Sequence, residues 1–198
     1  MTTLVQASPT APSPRRFTRD EYYRMFNMGM FDGQRVELIH GEIITMAPQN
    51  EPHALTIAII TGWLSRGLGE NFTVRCQLPV VASDDTEPEP DFAVLAGSAE
   101  SQRDHPTTAL LMIEVADSSL AHDRRKGDIY ASRGVSDYWI VSLQNRQLEV
   151  YRNPVPSTES ETGMRYMSKA VLTQEQTVTT LNLPLPAVKV GRLLPIAV

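Results

Sequence analysis

The chain has 198 residues, a length that suits one domain with a sizeable core. Its formal net charge of −5 argues against a high-affinity nucleic-acid-binding module with a basic face. No apolar run has the length of a membrane span, and the N-terminus lacks the pattern of a secretory signal. The single cysteine, Cys76, excludes an internal disulfide framework and fits a reducing compartment. We therefore expect a cytoplasmic protein without a membrane segment.

Residues 1–16 are rich in Pro, Ser and Thr, which is typical of a flexible leader. Order is expected to begin near Phe17, and residues 17–198 are expected to form one domain. Thr18-Arg19-Asp20-Glu21 has the form of a capping box and predicts a short helix through about Met25 or Phe26. Two strand-like runs follow over 35–39 and 42–46, and His40-Gly41 joins them as a tight hairpin turn.

The middle of the chain alternates helical and extended patterns. Residues 51–68 predict a helix whose broad apolar surface is typical of a helix packed on a sheet. Residues 110–113 are apolar on both faces, as expected for a central strand. The further expected strands are 72–77, one near Val80, 91–95, 109–115, 138–142 and 148–152, with a helix over 123–133. Residues 153–198 are expected to form peripheral strands and loops. These elements predict an α/β fold with a mixed central sheet, flanking helices and β-hairpins.

Cys76 lies within the extended run 72–77. A lone cysteine can be a nucleophile, but a small core side chain is the interpretation that this strand context favours.

Asp91 follows an unusual segment, Glu87-Pro88-Glu89-Pro90. Each proline fixes its own backbone and extends the residue before it, so a stiff loop delivers Asp91 to the apolar run that follows. A solvated carboxylate at a strand entrance is the alternative.

Glu114 follows the apolar run 110–113, and a charge at the end of a buried strand is costly unless it is paired or binds a metal. A salt bridge at the strand end is the alternative. Together with Asp91 on a neighbouring strand, Glu114 would form an oxygen-rich site suited to Mg²⁺ or Mn²⁺. Such a metal lowers the pKa of bound water and offsets phosphoryl charge.

A cation is expected beside these carboxylates to stabilise developing negative charge. The position two residues after Glu114 holds Ala116, so Lys126 is the best candidate. It lies in the predicted helix 123–133, where side chains lean back toward the N-terminus. A solvated lysine beside Arg124 and Arg125 is the alternative.

The order Glu37, Pro90-Asp91 and Glu114-Val115 resembles the PD-(D/E)xK restriction-endonuclease-like superfamily. A longer series is similar to the Uma family of "putative restriction endonucleases": 114–119, Asp123-Arg124, Lys126, Tyr130-Ala131, Gly134-Val135 and 137–141. The resemblance extends from about Phe17 to Arg152.

The resemblance implies a restriction-endonuclease-like core in which Asp91, Glu114 and the Val115 carbonyl hold Mg²⁺. Lys126 would be the catalytic lysine moved from strand to helix, and Glu37 the upstream acidic residue. It also implies a nucleic acid substrate, with DNA favoured. We expect a homodimer, because endonucleases that cut both strands often pair two active sites by two-fold symmetry and the hairpins supply edge strands. His53 and Gln77 fall where the family tends to carry polar residues.

Two hypotheses of different class remain. The first is a metal-dependent endonuclease that hydrolyses phosphodiester bonds. The second is a catalytically inactive nuclease fold kept as a binding or assembly module, which the acidic charge and Ala116 favour. A third interpretation treats these acidic and basic residues as surface ion pairs.

Overall fold

A six-stranded sheet organises the part of the chain that the computed structural model describes, residues 13–196. The helices are α1 (Arg19–Asn27), α2 (Glu51–Gly67) and α3 (Leu120–Ser132). The strands are β1 (Val36–Ile39), β2 (Glu42–Thr45), β3 (Phe72–Cys76), β4 (Phe92–Ala96), β5 (Leu111–Ala116), β6 (Asp137–Ser142), β7 (Gln147–Pro156), β8 (Met164–Thr173), β9 (Thr177–Val178) and β10 (Val188–Lys189). Most of the expected leader, residues 1–12, lies outside the described range.

The main sheet has the order β3-β4-β5-β6-β7-β8, so neighbours in space are also neighbours in sequence. Only β5 and β6 are parallel, and α3 makes the crossover that a parallel pair requires. All other neighbours are antiparallel. The predicted mixed sheet with flanking helices and hairpins is therefore confirmed.

The N-terminal elements follow local signals that the sequence carries. Thr18 and Glu21 form the predicted capping box at the start of α1. β1 and β2 pair as the predicted hairpin, with positive φ angles of 50° at His40 and 74° at Gly41. A Cβ added to Gly41 would lie 2.5 Å from the Arg16 Cβ, so only glycine fits this turn.

Apolar side chains cover both faces of the sheet. On one face, Ile60 and Leu64 of α2 pack with strand residues that include Trp139. On the other face, Tyr130 of α3 packs with Met112 and other strand residues. Both faces of β5 and β6 are therefore covered, and every residue of these two strands is buried.

The segment after β8 completes the core on the α2 face. Val178, Leu183 and Val188 belong to the same apolar cluster as Ile60. Asp137, at the start of β6, anchors this segment by accepting a hydrogen bond of 3.0 Å from the Leu181 amide. Residues 153–198 therefore contribute core side chains as well as the outer strand β8.

Three local expectations from the sequence were wrong. Val80 is fully buried but lies in a loop, because the preceding Pro79 cannot donate to a strand ladder. Cys76 ends the edge strand β3 and is exposed instead of lying in the core. Helix α3 begins at Leu120, before the predicted residue 123, so Lys126 lies in its second turn. None of the helices in residues 13–196 combines the length and apolar character needed to cross a membrane.

Candidate active site

Four charged side chains from four parts of the chain meet near the C-terminal end of β5. They are Glu37 on β1, Asp91 just before β4, Glu114 on β5 and Lys126 on α3. Their exposed fractions are 1%, 8%, 3% and 3%. Charged side chains are almost never this buried unless they are paired, so their contacts decide what the cluster can do.

Glu114 receives hydrogen bonds at both carboxylate oxygens. The Lys126 ammonium and the Tyr130 hydroxyl donate to Oε1 at 3.2 Å and 2.7 Å. The Asp91 amide donates to Oε2 at 3.3 Å. Two donors on adjacent turns of α3 therefore bind Oε1 of Glu114, and the backbone amide of Asp91 binds Oε2.

Lys126 bridges two carboxylates. Its Nζ lies 2.9 Å from Glu37 Oε2 and 3.2 Å from Glu114 Oε1. Glu37 is held in turn by His122, whose Nε2 is 2.8 Å from Oε1, and by the Glu89 amide, which donates to Oε2 at 3.1 Å. The backward lean of a helical side chain, expected from the sequence, brings the amine of Lys126 to the β5 strand.

Asp91 lies beside Glu114 because β4 and β5 pair in register, with Phe92 opposite Ile113. The Val115 amide donates to Asp91 Oδ2 at 2.8 Å. Since the N–H and C=O of one strand residue point to the same side, the Val115 carbonyl also points toward Asp91. The structure thus brings together every residue proposed from the sequence as catalytic or metal-binding.

His53 and Gln77 also reach Asp91. Gln77 donates from Nε2 to Asp91 Oδ1 at 3.0 Å, and it adopts a positive φ of 52° where β3 ends. His53, in the first turn of α2, places Nε2 3.3 Å from Asp91 Oδ2. Its Nδ1 is buried and has no hydrogen-bond partner in the described residues.

Sequence reasoning missed three residues that complete the cluster: His122, Asp123 and Tyr130. His122, Lys126 and Tyr130 are spaced four residues apart and share one face of α3, a signal that was available in the sequence. Asp123 is 4% exposed, and its Oδ2 accepts a hydrogen bond of 2.6 Å from the Ser119 hydroxyl.

The pKa values of the two glutamates beside Lys126 move in opposite directions. Burial favours protonation of both. At Glu37, Lys126 and His122 outweigh burial and lower the pKa to about 2. At Glu114, burial prevails over Lys126, and the nearby charges of Asp123 and Asp91 raise the pKa further. One lysine charge therefore does not compensate this group of carboxylates.

An open cleft of about 300 Å³ lies over the cluster. Asp91, Glu114, Val115 and Lys126 line its floor, and residues on either side of β2 and at the start of α3 form its walls. The buried charges are thus accessible from solvent through this cleft.

The sequence profile of the Uma2 family, described as "Putative restriction endonuclease", matches residues 19–186, which is most of the chain. The chain belongs to the Uma2 family. Family and fold indicate a nuclease of the restriction-endonuclease-like type, which generally uses divalent metals and acts on nucleic acid.

A solved structure of a "putative nuclease belonging to DUF820" from Anabaena variabilis has the same fold as this Uma2 chain, with a TM-score of 0.63. The two sequences are 14% identical, and the match covers 89% of this chain and 97% of the other. No curated protein shows significant sequence similarity to this chain.

The donor set in this Uma2 cleft fits a divalent cation. In residues 13–196, no three His, Cys, Asp or Glu side chains are arranged to hold a metal ion. Asp91, Glu114 and the Val115 carbonyl would therefore hold it with the help of water or substrate oxygens. Mg²⁺ is usually bound in this way, through one or two carboxylates and several waters. The raised pKa of Glu114, caused by burial and neighbouring carboxylates, is a second sign that the cluster favours an added cation.

Proposed function

We propose that this chain hydrolyses phosphodiester bonds in DNA with the help of Mg²⁺ or Mn²⁺. One observation carries the proposal: the Lys126 amine lies against Glu114, next to Asp91, on the floor of an open cleft. A fixed cation beside two metal-binding carboxylates is the arrangement that phosphoryl transfer needs.

Asp91 and Glu114 would hold the metal with one oxygen each, and the Val115 carbonyl would add a third. When bound, the metal lowers the pKa of a water molecule and offsets charge on the phosphoryl group. His53 and Gln77 orient Asp91 through its two oxygens. Tyr130 and Lys126 hold Oε1 of Glu114, which leaves Oε2 nearer to Asp91.

Lys126 supplies positive charge where negative charge develops on the scissile phosphate. Its pKa is raised, because the nearby carboxylates of Glu114 and Glu37 outweigh the effect of burial. Lys126 therefore stays protonated and acts as an electrostatic stabiliser and not as a base. Glu37, held by His122, keeps the amine on the cleft side of α3.

The competing function is an inactive nuclease fold that serves as a binding or assembly module. The observation that favours it is the closed pairing of Lys126 with both Glu37 and Glu114, which resembles a structural ion network. Metal binding alone does not separate the two functions, because a module could retain the metal.

The test combines calorimetry with a cleavage assay in Mg²⁺ or Mn²⁺. We expect wild-type protein to bind Mn²⁺ and nick DNA, and Asp91→Asn to lose both. Lys126→Met should still bind Mn²⁺ but lose cleavage, and Lys126→Arg should recover part of it. A thermal melt of each variant excludes misfolding.

Nicking that survives in Asp91→Asn would show a contaminant. A metal-binding wild type that cleaves no DNA would support the binding module instead.

A homodimer is a further part of the proposal. Strand β8 is ten residues long and lies at the edge of the main sheet, so a second copy could pair with it. We expect sedimentation to give twice the chain mass, and a monomer mass would contradict this part alone.

A further inference from the structure

A hydrogen bond joins the two sides of the cleft over the carboxylates at one point. The segment before α2 forms one wall, and the segment between β5 and α3 forms the other. Asn50 Nδ2 donates to Asp117 Oδ2 at 2.6 Å and joins these two walls. Below this bridge, Asp91 and Glu114 keep only 8% and 3% of their surface exposed.

The small volume of the cleft disfavours a continuous DNA duplex. To reach Asp91 and Glu114, a phosphate must enter a cleft of about 300 Å³, at the small end of the range for ligand pockets. Duplex DNA is stiff, and bending it sharply over a short site costs on the order of several kcal/mol. An unpaired strand can turn one nucleotide inward without unpairing or unstacking a partner strand.

Charge around the cleft gives a second, independent argument. Proteins that hold duplex DNA usually neutralise about 6 to 10 phosphates with Lys and Arg. The cleft is lined by two such residues, Arg35 and Lys126. Lys126 is bound to Glu37 and Glu114, and Arg35 lies 4.0 Å from Glu89. No basic track for a rigid polyanion therefore runs through the cleft lining.

The walls suit a single nucleotide better than a groove-binding surface. Ile44, Met46 and Pro48 present apolar surface to the cleft, and Gln49 adds an amide group. An apolar wall can pack on the face of an unpaired base, and amides can bond its edge. These groups cannot reach a base that remains stacked inside a duplex.

We infer that the substrate of this cleft is an unpaired DNA strand or a frayed end, and that the Asn50–Asp117 bridge excludes continuous duplex. The inference rests on the proposed function and narrows its substrate. Base-paired DNA would be attacked only where strands separate or where the bridge opens.

The first experiment measures binding and cleavage separately. Fluorescence anisotropy with Ca²⁺ compares a labelled oligonucleotide, its blunt duplex and a duplex with a single-stranded tail. Cleavage of the same three probes is then followed with Mn²⁺. We expect the single strand and the tailed duplex to be preferred by roughly tenfold or more, equivalent to about 1.4 kcal/mol. Binding should also weaken little with salt, because few phosphates are neutralised.

The second experiment uses a variant that breaks the hydrogen bond between Asn50 and Asp117. Asn50→Asp keeps a side-chain oxygen to cap α2, since Asp caps helices about as well as Asn, but it faces Asp117 with a like charge. We expect the ratio of duplex to single-strand cleavage to rise roughly tenfold or more, the size of one hydrogen bond to a charged group. Asp117→Asn, which can keep an amide–carbonyl bond, is the matched control and should change the ratio less.

The outcomes separate this inference from the proposed function. Equal cleavage of single strand and blunt duplex would overturn the inference and leave the nuclease function intact. Selective single-strand binding without any cleavage would support the substrate class and overturn the proposed hydrolysis. No binding of any probe would overturn the inference.

Discussion

Two buried glutamates in the same row of the main sheet, Glu114 and Glu149, have pKa values that shift in opposite directions. Glu114 on β5 lies opposite Ile140 on β6, and Ile140 lies opposite Glu149 on β7. Residues aligned in this way point to the same face of a sheet, here the face that α3 covers. Each glutamate is 3% exposed, but Glu114 lies deeper in the protein than Glu149, so burial disfavours its charged form more strongly.

Their hydrogen-bond partners are also of the same kinds. Each carboxylate binds a basic residue of α3, Lys126 for Glu114 and Arg124 for Glu149. Each also accepts a tyrosine hydroxyl, from Tyr130 at 2.7 Å or from Tyr151 at 2.6 Å.

The number of cations per carboxylate differs. Glu149 has both Arg124 and Lys169, and these donors outweigh burial and lower its pKa to about 2. Glu114 shares the single charge of Lys126 with Glu37, and burial raises its pKa. A buried carboxylate with enough cations is a structural ion pair, whereas one with too few favours an added metal. Charge balance and depth of burial together therefore mark the candidate site.

The largest expected difference between the two glutamates is in DNA cleavage. Glu114→Gln should lower the rate by at least about a hundredfold, because it removes a metal ligand next to Lys126. Glu149→Gln should change the rate by less than roughly threefold, since its loss leaves the cleft untouched. Initial rates with Mn²⁺ measure both variants, and similar losses in the two would contradict the distinction.

Without metal, Glu149→Gln should destabilise the protein more than Glu114→Gln does. Glu149→Gln should lower the free energy of unfolding by about 2 kcal/mol, because it removes the charged partner of Arg124 and Lys169. The partial exposure of these two basic side chains limits the loss. Glu114→Gln should lower it by less than about 1 kcal/mol, because the glutamine replaces a carboxyl that already favours its protonated form. Urea denaturation in the presence of a chelator compares them, and a larger loss at Glu114 would refute this assignment.

Acid should erase the stability difference between wild type and Glu149→Gln. The pKa of Glu149 falls from 4.5 to about 2, because Arg124, Tyr151 and Lys169 outweigh burial. A lowered folded-state pKa stabilises the protein fully above 4.5, and this contribution is lost as the pH falls toward 2. Urea curves at neutral pH and within that acid range should show the two proteins converging. A gap that stays constant with pH would contradict the ion-pair interpretation.

The two tyrosine hydroxyls give the smallest contrast. Tyr130→Phe removes a hydrogen bond to the charged form of Glu114, so protons compete more strongly with the metal. The affinity for Mn²⁺ should fall about fivefold, the size of one hydrogen bond. Tyr151→Phe, the matched change at Glu149, should leave Mn²⁺ affinity unchanged in calorimetry. An equal effect of both variants would show that Tyr130 acts only through general packing.

Elements specified by local sequence were the most predictable part of the fold. The capping box at Thr18, the hairpin turn at His40-Gly41 and the doubly buried strand β5 all follow from neighbouring residues. Placement of the C-terminal segment did not follow, because its partners in α2 lie more than a hundred residues earlier in the chain. Only tertiary packing determines where such a segment lies.

The sequence indicated the main residues of the candidate site but not how the cations are shared among its carboxylates. Asp91 and Glu114 were indicated by proline stiffening and by burial at a strand end. The partner His122 was missed because it lay outside the helix expected from residue 123, whereas α3 starts three residues earlier. Which carboxylate shares Lys126, and which has cations to itself, depends on distances that a sequence does not contain.

The position of residues 178–194 has a consequence for biosynthesis. A ribosome produces α2 and the first strands early, but Val178, Leu183 and Val188, which cover the same apolar cluster, emerge much later. Until then, Ile60 and Trp139 lack part of their packing surface, and exposed apolar surface of this kind attracts chaperones or aggregates. Folding of this face must therefore wait for late translation. A message cut short before these codons should yield a product that quality control removes.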